Sequence, residues 1–294
     1  MDCLTDRRLT GVMSPTQTPE RTLVIGGTGT TGRRVAERLA ALVAEVRIGS
    51  RGGGTRFDWA DETTWRPALH GADAAYVTYH PDIGSPAAAG AVGAFARLAV
   101  EGGTRRLVLL SGRGSAPARE AERALADSGA EWTVVRSSWF AQNFGEGFLG
   151  DAVRSGVLAF PAGAVEEPFI SADDIAEIAV AALTGDRHAG QVYDVTGPRL
   201  LTFGDAAAEI SRAAGIALQY VPISFDEFAA ELATSGVPEV AAAETVDVFR
   251  TVLDGRNAVL TDDVTRALGR PATDFADYAR AAATAGAWQT DGRR

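Results

Sequence analysis

Residues 23–32 read Leu-Val-Ile-Gly-Gly-Thr-Gly-Thr-Thr-Gly, and apolar residues then recur at Val35, Leu39, Leu42 and Val43. An apolar strand thus ends in a glycine loop, and the loop opens an amphipathic helix. Two glycine frames overlap, Gly27-x-Gly29-x-x-Gly32 and Gly26-x-x-Gly29-x-x-Gly32. Glycines let the backbone approach phosphates closely, while the helix N-terminus presents unpaired N–H groups and a positive dipole end. Strand, loop and helix in that order hold a dinucleotide pyrophosphate. Gly26, Gly29 and Gly32 are the candidate cradle, and the hydroxyls of Thr28, Thr30 and Thr31 are candidate phosphate contacts.

The pattern beyond the loop sets the fold class. Strands are expected at Thr22–Gly27, Glu45–Arg51, Thr55–Asp58, Ala74–Tyr79, Arg106–Ser111, Glu131–Arg136 and Gln191–Val195. Helices are expected between them at Thr31–Val43, Glu62–His70, Pro86–Glu101, Ala116–Ser128 and Ala172–Leu183, the last capped by Ser171. Such alternation indicates a parallel, doubly wound α/β sheet. Residues 198–290 read as mostly helical, at Gly204–Ala214, Phe225–Ser235, Val240–Leu253, Asp262–Leu268 and Asp274–Ala285, with a short strand at Tyr220–Pro222. The acidic pairs Asp173-Asp174 and Asp262-Asp263 read as helix caps rather than metal ligands.

Composition excludes several classes. A net charge of -10 speaks against nucleic acid and anionic membranes as partners. A single cysteine, Cys3, rules out a disulfide framework and a multi-cysteine metal site. No apolar stretch approaches the roughly 18 residues of a membrane span. Residues 1–20 lack the apolar run of a secretory signal and read as a disordered extension, so a cytoplasmic location is expected. All 28 Lys+Arg residues are arginine. No lysine can therefore act as base, Schiff-base former or P-loop cation.

The end of the second strand selects the cofactor. An NAD site places Asp or Glu there for the ribose 2′-hydroxyl. Here the residues are Ile48-Gly49-Ser50-Arg51, a guanidinium beside a hydroxyl, which suits a 2′-phosphate. The expected cofactor is NADP(H), held by Ser50 and Arg51. Arg33 and Arg34 are within reach of the phosphate or else line a solvated helix start, and Asp58 is a candidate adenine contact.

Several blocks together resemble the NmrA-like atypical short-chain dehydrogenase/reductases. They are the loop at 26–32, Ser50-Arg51, Phe57-Asp58-Trp59, Arg136 through Phe144, and Ser171 through Ala176. Thr64-Trp65 and Val195-Thr196-Gly197-Pro198 suggest the branch of bacterial relatives of the ergot-alkaloid (festuclavine/agroclavine) dehydrogenases. The resemblance spans about residues 21–288. It implies a Rossmann-type NADP(H)-binding domain over 21–150, completed by about 171–197, and a smaller substrate-binding part over 151–170 and 198–290. It also implies nicotinamide-side contacts around Thr78-Tyr79-His80 and Ser111-Gly112, and a substrate cleft lined by Trp139, Phe140 and Asn143.

Short-chain dehydrogenases ordinarily draw on Ser, Tyr and Lys. Ser111, at the end of the fifth strand, suits the serine role, but neither the tyrosine nor the lysine is present. Iminium ions, quinones and enones can accept hydride without that acid. His80, with Tyr79 beside it, is the candidate proton donor, since it follows a strand at its C-terminal end and titrates near neutrality. His70 and His188 flank glycine turns and read as surface residues. The leading expectation is an NADPH-dependent reductase of a small hydrophobic acceptor, monomeric or homodimeric and without a metal. The alternative is a non-catalytic NADP(H) sensor of NmrA type.

Overall fold

In the computed structural model, which describes residues 18–289, β1 (Arg21–Ile25) runs into the glycine loop and the loop into α1 (Thr30–Leu39). Residues 1–17, the bulk of the expected extension with Cys3, and residues 290–294 lie outside the described residues. There follow β2 (Glu45–Ser50), β3 (Thr55–Arg56), α2 (Trp65–Leu69), β4 (Ala74–Val77), α3 (Ala88–Glu101), β5 (Arg106–Gly112), α4 (Ala116–Ala126) and β6 (Glu131–Ser137). Next come α5 (Gly150–Ser155), β7 (Val157–Phe160), β8 (Glu166–Glu167), α6 (Ala172–Thr184) and β9 (Gln191–Val195). The remaining elements are β10 (Leu201–Thr202), α7 (Phe203–Ala214), β11 (Gln219–Pro222), α8 (Phe225–Thr234), α9 (Glu239–Val252), α10 (Asp263–Leu268) and α11 (Phe275–Thr284).

Seven strands form one sheet in the order β3-β2-β1-β4-β5-β6-β9, and every pairing in it is parallel. This is the expected doubly wound α/β architecture. The strand order reverses between β1 and β4, so a crevice opens beyond the C-terminal ends of those two strands. The glycine loop leaves β1 at that point.

Both faces of the sheet are covered, which explains its uninterrupted apolar strands. Leu23, Ile25, Val77, Leu107 and Leu109 share a core with Trp65 and Phe95 on the α2–α3 side. Their strand neighbours Val24, Tyr76 and Val108 point the other way, into a core with Val35, Leu39, Ile175 and Ile178 of α1 and α6. Val264 and Ala267 of α10 are buried in this same core, so the chain returns to the sheet late in its course.

A second core is largely aromatic. Phe144, Phe160, Phe169, Phe203 and Phe275 are buried there, with Trp139, Phe225 and Phe249 packed against them. Two small ladders frame it, β7 parallel to β11 and β8 antiparallel to β10. The strand β7 was not expected from the sequence, because its partner β11 lies far downstream and its pattern is too short to read alone.

Two sequence expectations change. The α1 helix ends at Leu39 instead of Val43, because Leu42 and Val43 both turn back to bond the Leu39 carbonyl. His188 is 2% exposed rather than on the surface, with its Nδ1 2.7 Å from the Tyr193 hydroxyl. Burial and the neighbouring Arg187 hold its pKa below the ordinary histidine value.

Candidate cofactor and acceptor site

The loop after β1 is folded too tightly for side chains at three of its glycines, Gly26, Gly32 and Gly27, where a Cβ on the last would stand 2.8 Å from Ile48. Gly26 takes a positive φ of 70°, the left-handed region that glycine occupies freely. A Cβ on Gly32 would stand 2.2 Å from the Gly26 carbonyl oxygen, so the first turn of α1 must carry glycine there. Thr78, just past β4, donates its hydroxyl to the Ile25 carbonyl at 3.0 Å. That bond ties the two strands together at the switch point. The helix N-terminus has no side-chain cap and no acidic residue in its first turn. Its free N–H groups and dipole therefore face a position suited to an anion. Thr28 and Gly29 are exposed beside it, Thr30 is half-buried and Thr31 is buried.

At the end of β2, Ser50 is half-buried and Arg51 exposed. Among the described residues Arg51 has no ion pair or hydrogen bond, so its guanidinium is available. Arg33 and Arg34 are differently placed. Both pair with Glu146, with Arg34 Nη2 2.6 Å from Glu146 Oε1. Arg34 also reaches Asp173 at 3.3 Å, and Arg38 reaches it at 2.6 Å. These arginines fasten α1 to the start of α6 and to the 141–147 turn. Asp173 answers them instead of capping its own helix, a role that Ser171 fills by accepting from the Asp173 N–H. Asp174 is fully buried against Arg270, 2.7 Å away, and Asp263 accepts from the Asp194 N–H at 2.6 Å. In α6 the expected cap role falls to Ser171, whereas Asp262 does stand at the N-cap position of α10, without a side-chain cap bond.

Asp58 is occupied locally. Its carboxylate accepts from the Ala60 N–H at 3.0 Å, and its carbonyl accepts from the Trp65 indole at 2.9 Å. Tyr79 packs against Trp59 with ring centroids 5.0 Å apart, and Trp59 Nε1 donates to the Thr78 carbonyl at 2.9 Å. His80 follows at the mouth of the crevice and is exposed. Asp82 accepts from the Gly84 N–H at 2.7 Å and makes no bond to His80 among the described residues.

Ser111 departs from expectation. It is 2% exposed, and its hydroxyl donates to Glu122 Oε1 at 2.6 Å. Glu122 is itself buried and clamped by Arg136, whose Nε lies 2.9 Å from the same oxygen and whose Nη2 meets the other. The ordinary role of the serine near nicotinamide needs a hydroxyl facing the acceptor. Here the hydroxyl satisfies a buried carboxylate instead. Gly112, next in the chain, is half-buried and uncrowded, with Ile83 3.7 Å from the position of a Cβ.

The expected cleft residues separate. The Trp139 ring lies 5.5 Å from Phe203, 5.8 Å from Phe160, 6.1 Å from Phe148 and 5.4 Å from Phe249. Phe148 stacks on Phe249 at 5.7 Å and is 53% exposed. These rings make an aromatic wall with one edge open to solvent. Phe140 instead packs against the core beneath α1 and α6, because one residue of extended chain reverses the side-chain direction. Asn143 is half-buried in the 141–147 turn, where its carbonyl accepts from the Leu149 N–H at 3.2 Å. Phe249 carries no sequence signal of its own; only the packing of α9 brings it to Trp139.

Glu167 was not singled out from the sequence, although a glutamate leading directly into Pro168-Phe169-Ile170 is a visible anomaly. It is fully buried, and neither carboxyl oxygen has a hydrogen-bond partner among the described residues. Burial raises its pKa to about 8, with Arg113 opposing and Asp254 adding to the shift. A surface depression lined by Glu62, Trp65, His70 and Leu98 touches these groups at Trp65, whose indole donates to the Asp58 carbonyl.

No family model matches the chain. The NAD(P)H azoreductase of Xenophilus azovorans is 32% identical over 287 residues, covering 90% of this chain and 98% of that protein. The agroclavine dehydrogenase of Claviceps fusiformis is 31% identical over 275 residues, covering 87% and 95%. Among solved structures, NmrA, a negative transcriptional regulator in complex with NAD, shares the fold at a TM-score of 0.68 and 15% identity, over 92% of this chain and 97% of that one.

Proposed function

The chain belongs to the NmrA-like family of NAD(P)-binding atypical reductases, and from that membership we propose that it is an NADPH-dependent oxidoreductase of a small or medium hydrophobic acceptor. One observation carries the reading: the glycine cradle sits at the sheet's switch point with an uncapped helix N-terminus, and a partly open aromatic wall stands on the same C-terminal edge. Gly26, Gly29 and Gly32 with Thr30 and Thr31 would hold the pyrophosphate. Ser50 and the unpaired Arg51 would hold the 2′-phosphate. Thr78 and Gly112 would border the nicotinamide. When bound, the cofactor supplies a hydride. Trp139, Phe148 and Phe249 offer an apolar aromatic surface, open at Phe148, against which a planar acceptor would pack. Iminium ions, quinones and enones fit a chain without the Tyr-Lys acid pair. A placement near the clavine dehydrogenases is supported by the full-length likeness to the agroclavine enzyme.

Titration of NADPH fluorescence tests the cofactor assignment. Arg51→Ala should weaken NADPH by about tenfold or more, the worth of a charge-assisted phosphate contact of roughly 1.5–3 kcal/mol, and leave NADH within about twofold. Equal losses for both would remove Arg51 from the 2′-phosphate. Incubation with quinones, enones, cyclic imines and an azo dye should oxidise NADPH. Tight binding with no turnover of any acceptor would favour the sensor.

A further inference from the structure

Glu167 lies on the segment that crosses the C-terminal ends of β6 and β9 and leads into α6. The residue after it, Pro168, accepts from Ser138 Oγ at 2.5 Å and from the Gly197 N–H at 3.0 Å. Those bonds pin the segment across the C-terminal ends of β6 and β9, one residue from Trp139. In the β8–β10 ladder Glu167 lies directly opposite Leu201, so the two side chains share a face. Leu201 is buried in the aromatic core with Phe160 and Phe203, which are ring neighbours of Trp139. Arg113, the cation that acts on Glu167, directly follows Gly112 of β5.

The charges around Glu167 do not neutralise it. Arg113 is paired to Asp194 at 2.6 Å and donates to the carbonyls of Asn257 and Val259 at 3.1 Å each. Asp254, beyond α9, repels it and is itself held by Arg256. Glu166, next in the chain, is exposed. A carboxyl shut away from water, with no hydrogen bond among the described residues and no dedicated cation, keeps its proton. That is the state in which a carboxylic acid can donate.

Resting on the reductase reading above, we infer that Glu167 is the proton donor to a neutral acceptor. The acceptor takes a hydride, two electrons and one hydrogen nucleus, from NADPH, whose nicotinamide is oxidised. The O–H bond of Glu167 breaks, and its proton goes to the acceptor atom where negative charge develops. The carboxylate then recovers a proton from water. The sum is NADPH plus a proton plus acceptor, giving NADP⁺ plus the two-electron-reduced acceptor. Only the acid on Glu167 is new to the chemistry; an iminium, which already carries positive charge, would not need it.

The test compares wild type with Glu167→Gln on two acceptors, 1,4-naphthoquinone and a preformed N-methyl-dihydroisoquinolinium. For the quinone, kcat in E167Q should fall by about 100-fold, at the low end of general-acid contributions, and for the iminium it should stay within about threefold. The wild-type quinone rate should decline above pH 8, and the residual E167Q rate should be flat there. NADPH binding by fluorescence, unchanged in E167Q, shows that the variant is folded. In the cofactor-free protein, the fall in unfolding midpoint between the ordinary carboxylate range and pH 8 should vanish in E167Q. Quinone turnover unchanged in E167Q, or equal losses on both acceptors, would overturn the proposal while the reductase reading stands. Failure of wild type to oxidise NADPH with any acceptor would overturn both.

Discussion

Ser111→Ala separates a catalytic serine from a structural one. The hydroxyl's one partner among the described residues is Glu122 Oε1, 2.6 Å away. Removing it leaves both Glu122 oxygens still bound by Arg136, so no buried charge is orphaned. The cost then falls at the low end for a hydrogen bond to a charged group, about 1.5 kcal/mol. Removing Arg136 is a different matter, since Arg136→Met leaves a buried carboxylate with only the hydroxyl. That should cost about 3–5 kcal/mol, and Glu122→Gln added to Arg136→Met should recover much of it. Urea denaturation reads these differences, and NADPH oxidation reads kcat. The expected Ser111→Ala result is a lower urea midpoint with kcat within about twofold of wild type. An acid or orienting group facing the acceptor would instead cost about 10²-fold or more in rate, equivalent to roughly 2.7 kcal/mol of barrier. A 100-fold rate loss at unchanged stability would refute the structural assignment and return Ser111 to the reaction.

Other outcomes follow from the same geometry. Gly32→Ala places a Cβ 2.2 Å from the Gly26 carbonyl oxygen; it should cost about 1–3 kcal/mol of stability and abolish NADPH binding, and an alanine variant that binds NADPH like wild type would remove the cradle from that role. Glu167 gives stability a definite pH dependence. Its folded pKa of about 8 stands above the ordinary glutamate value of 4.5, so between those values the native state keeps a proton that the unfolded chain has lost. Stability should fall with rising pH across that window by up to about 1.4 kcal/mol per unit and level off above it; a wild-type slope equal to that of E167Q would show that the carboxyl is not buried in solution. His80→Ala should leave kcat within about threefold, since His80 is exposed and has no partner among the described residues to orient it, whereas a loss of about 100-fold would make it, rather than Glu167, the acid.

Sequence periodicity and turn chemistry were enough for the sheet and the glycine loop. Leu23-Val24-Ile25 is apolar throughout because alternate residues enter two different cores. Gly26 and Gly32 declare themselves because a Cβ at either meets atoms within its own strand-loop-helix unit or the strand beside it. Ser50-Arg51 is legible because the end of β2 is a fixed place in such a sheet. Each of these depends on residues near in sequence or on a topology that local pattern dictates.

The fates of the polar side chains depended on partners that local pattern does not choose. Arg34 binds Asp173, 139 residues away, and Glu146, 112 residues away. Ser111 finds Glu122 on α4, and His188 finds Tyr193 in the interior. Phe140 and Trp139 are adjacent in sequence yet pack into different cores. Glu167 shows the division most sharply, because its identity is plain in the chain while its protonation is not. A backbone follows short-range sterics and the period of its apolar residues. The charge state and availability of a side chain follow instead from the solvent excluded and the partners supplied by distant segments, and only the tertiary structure brings those to it.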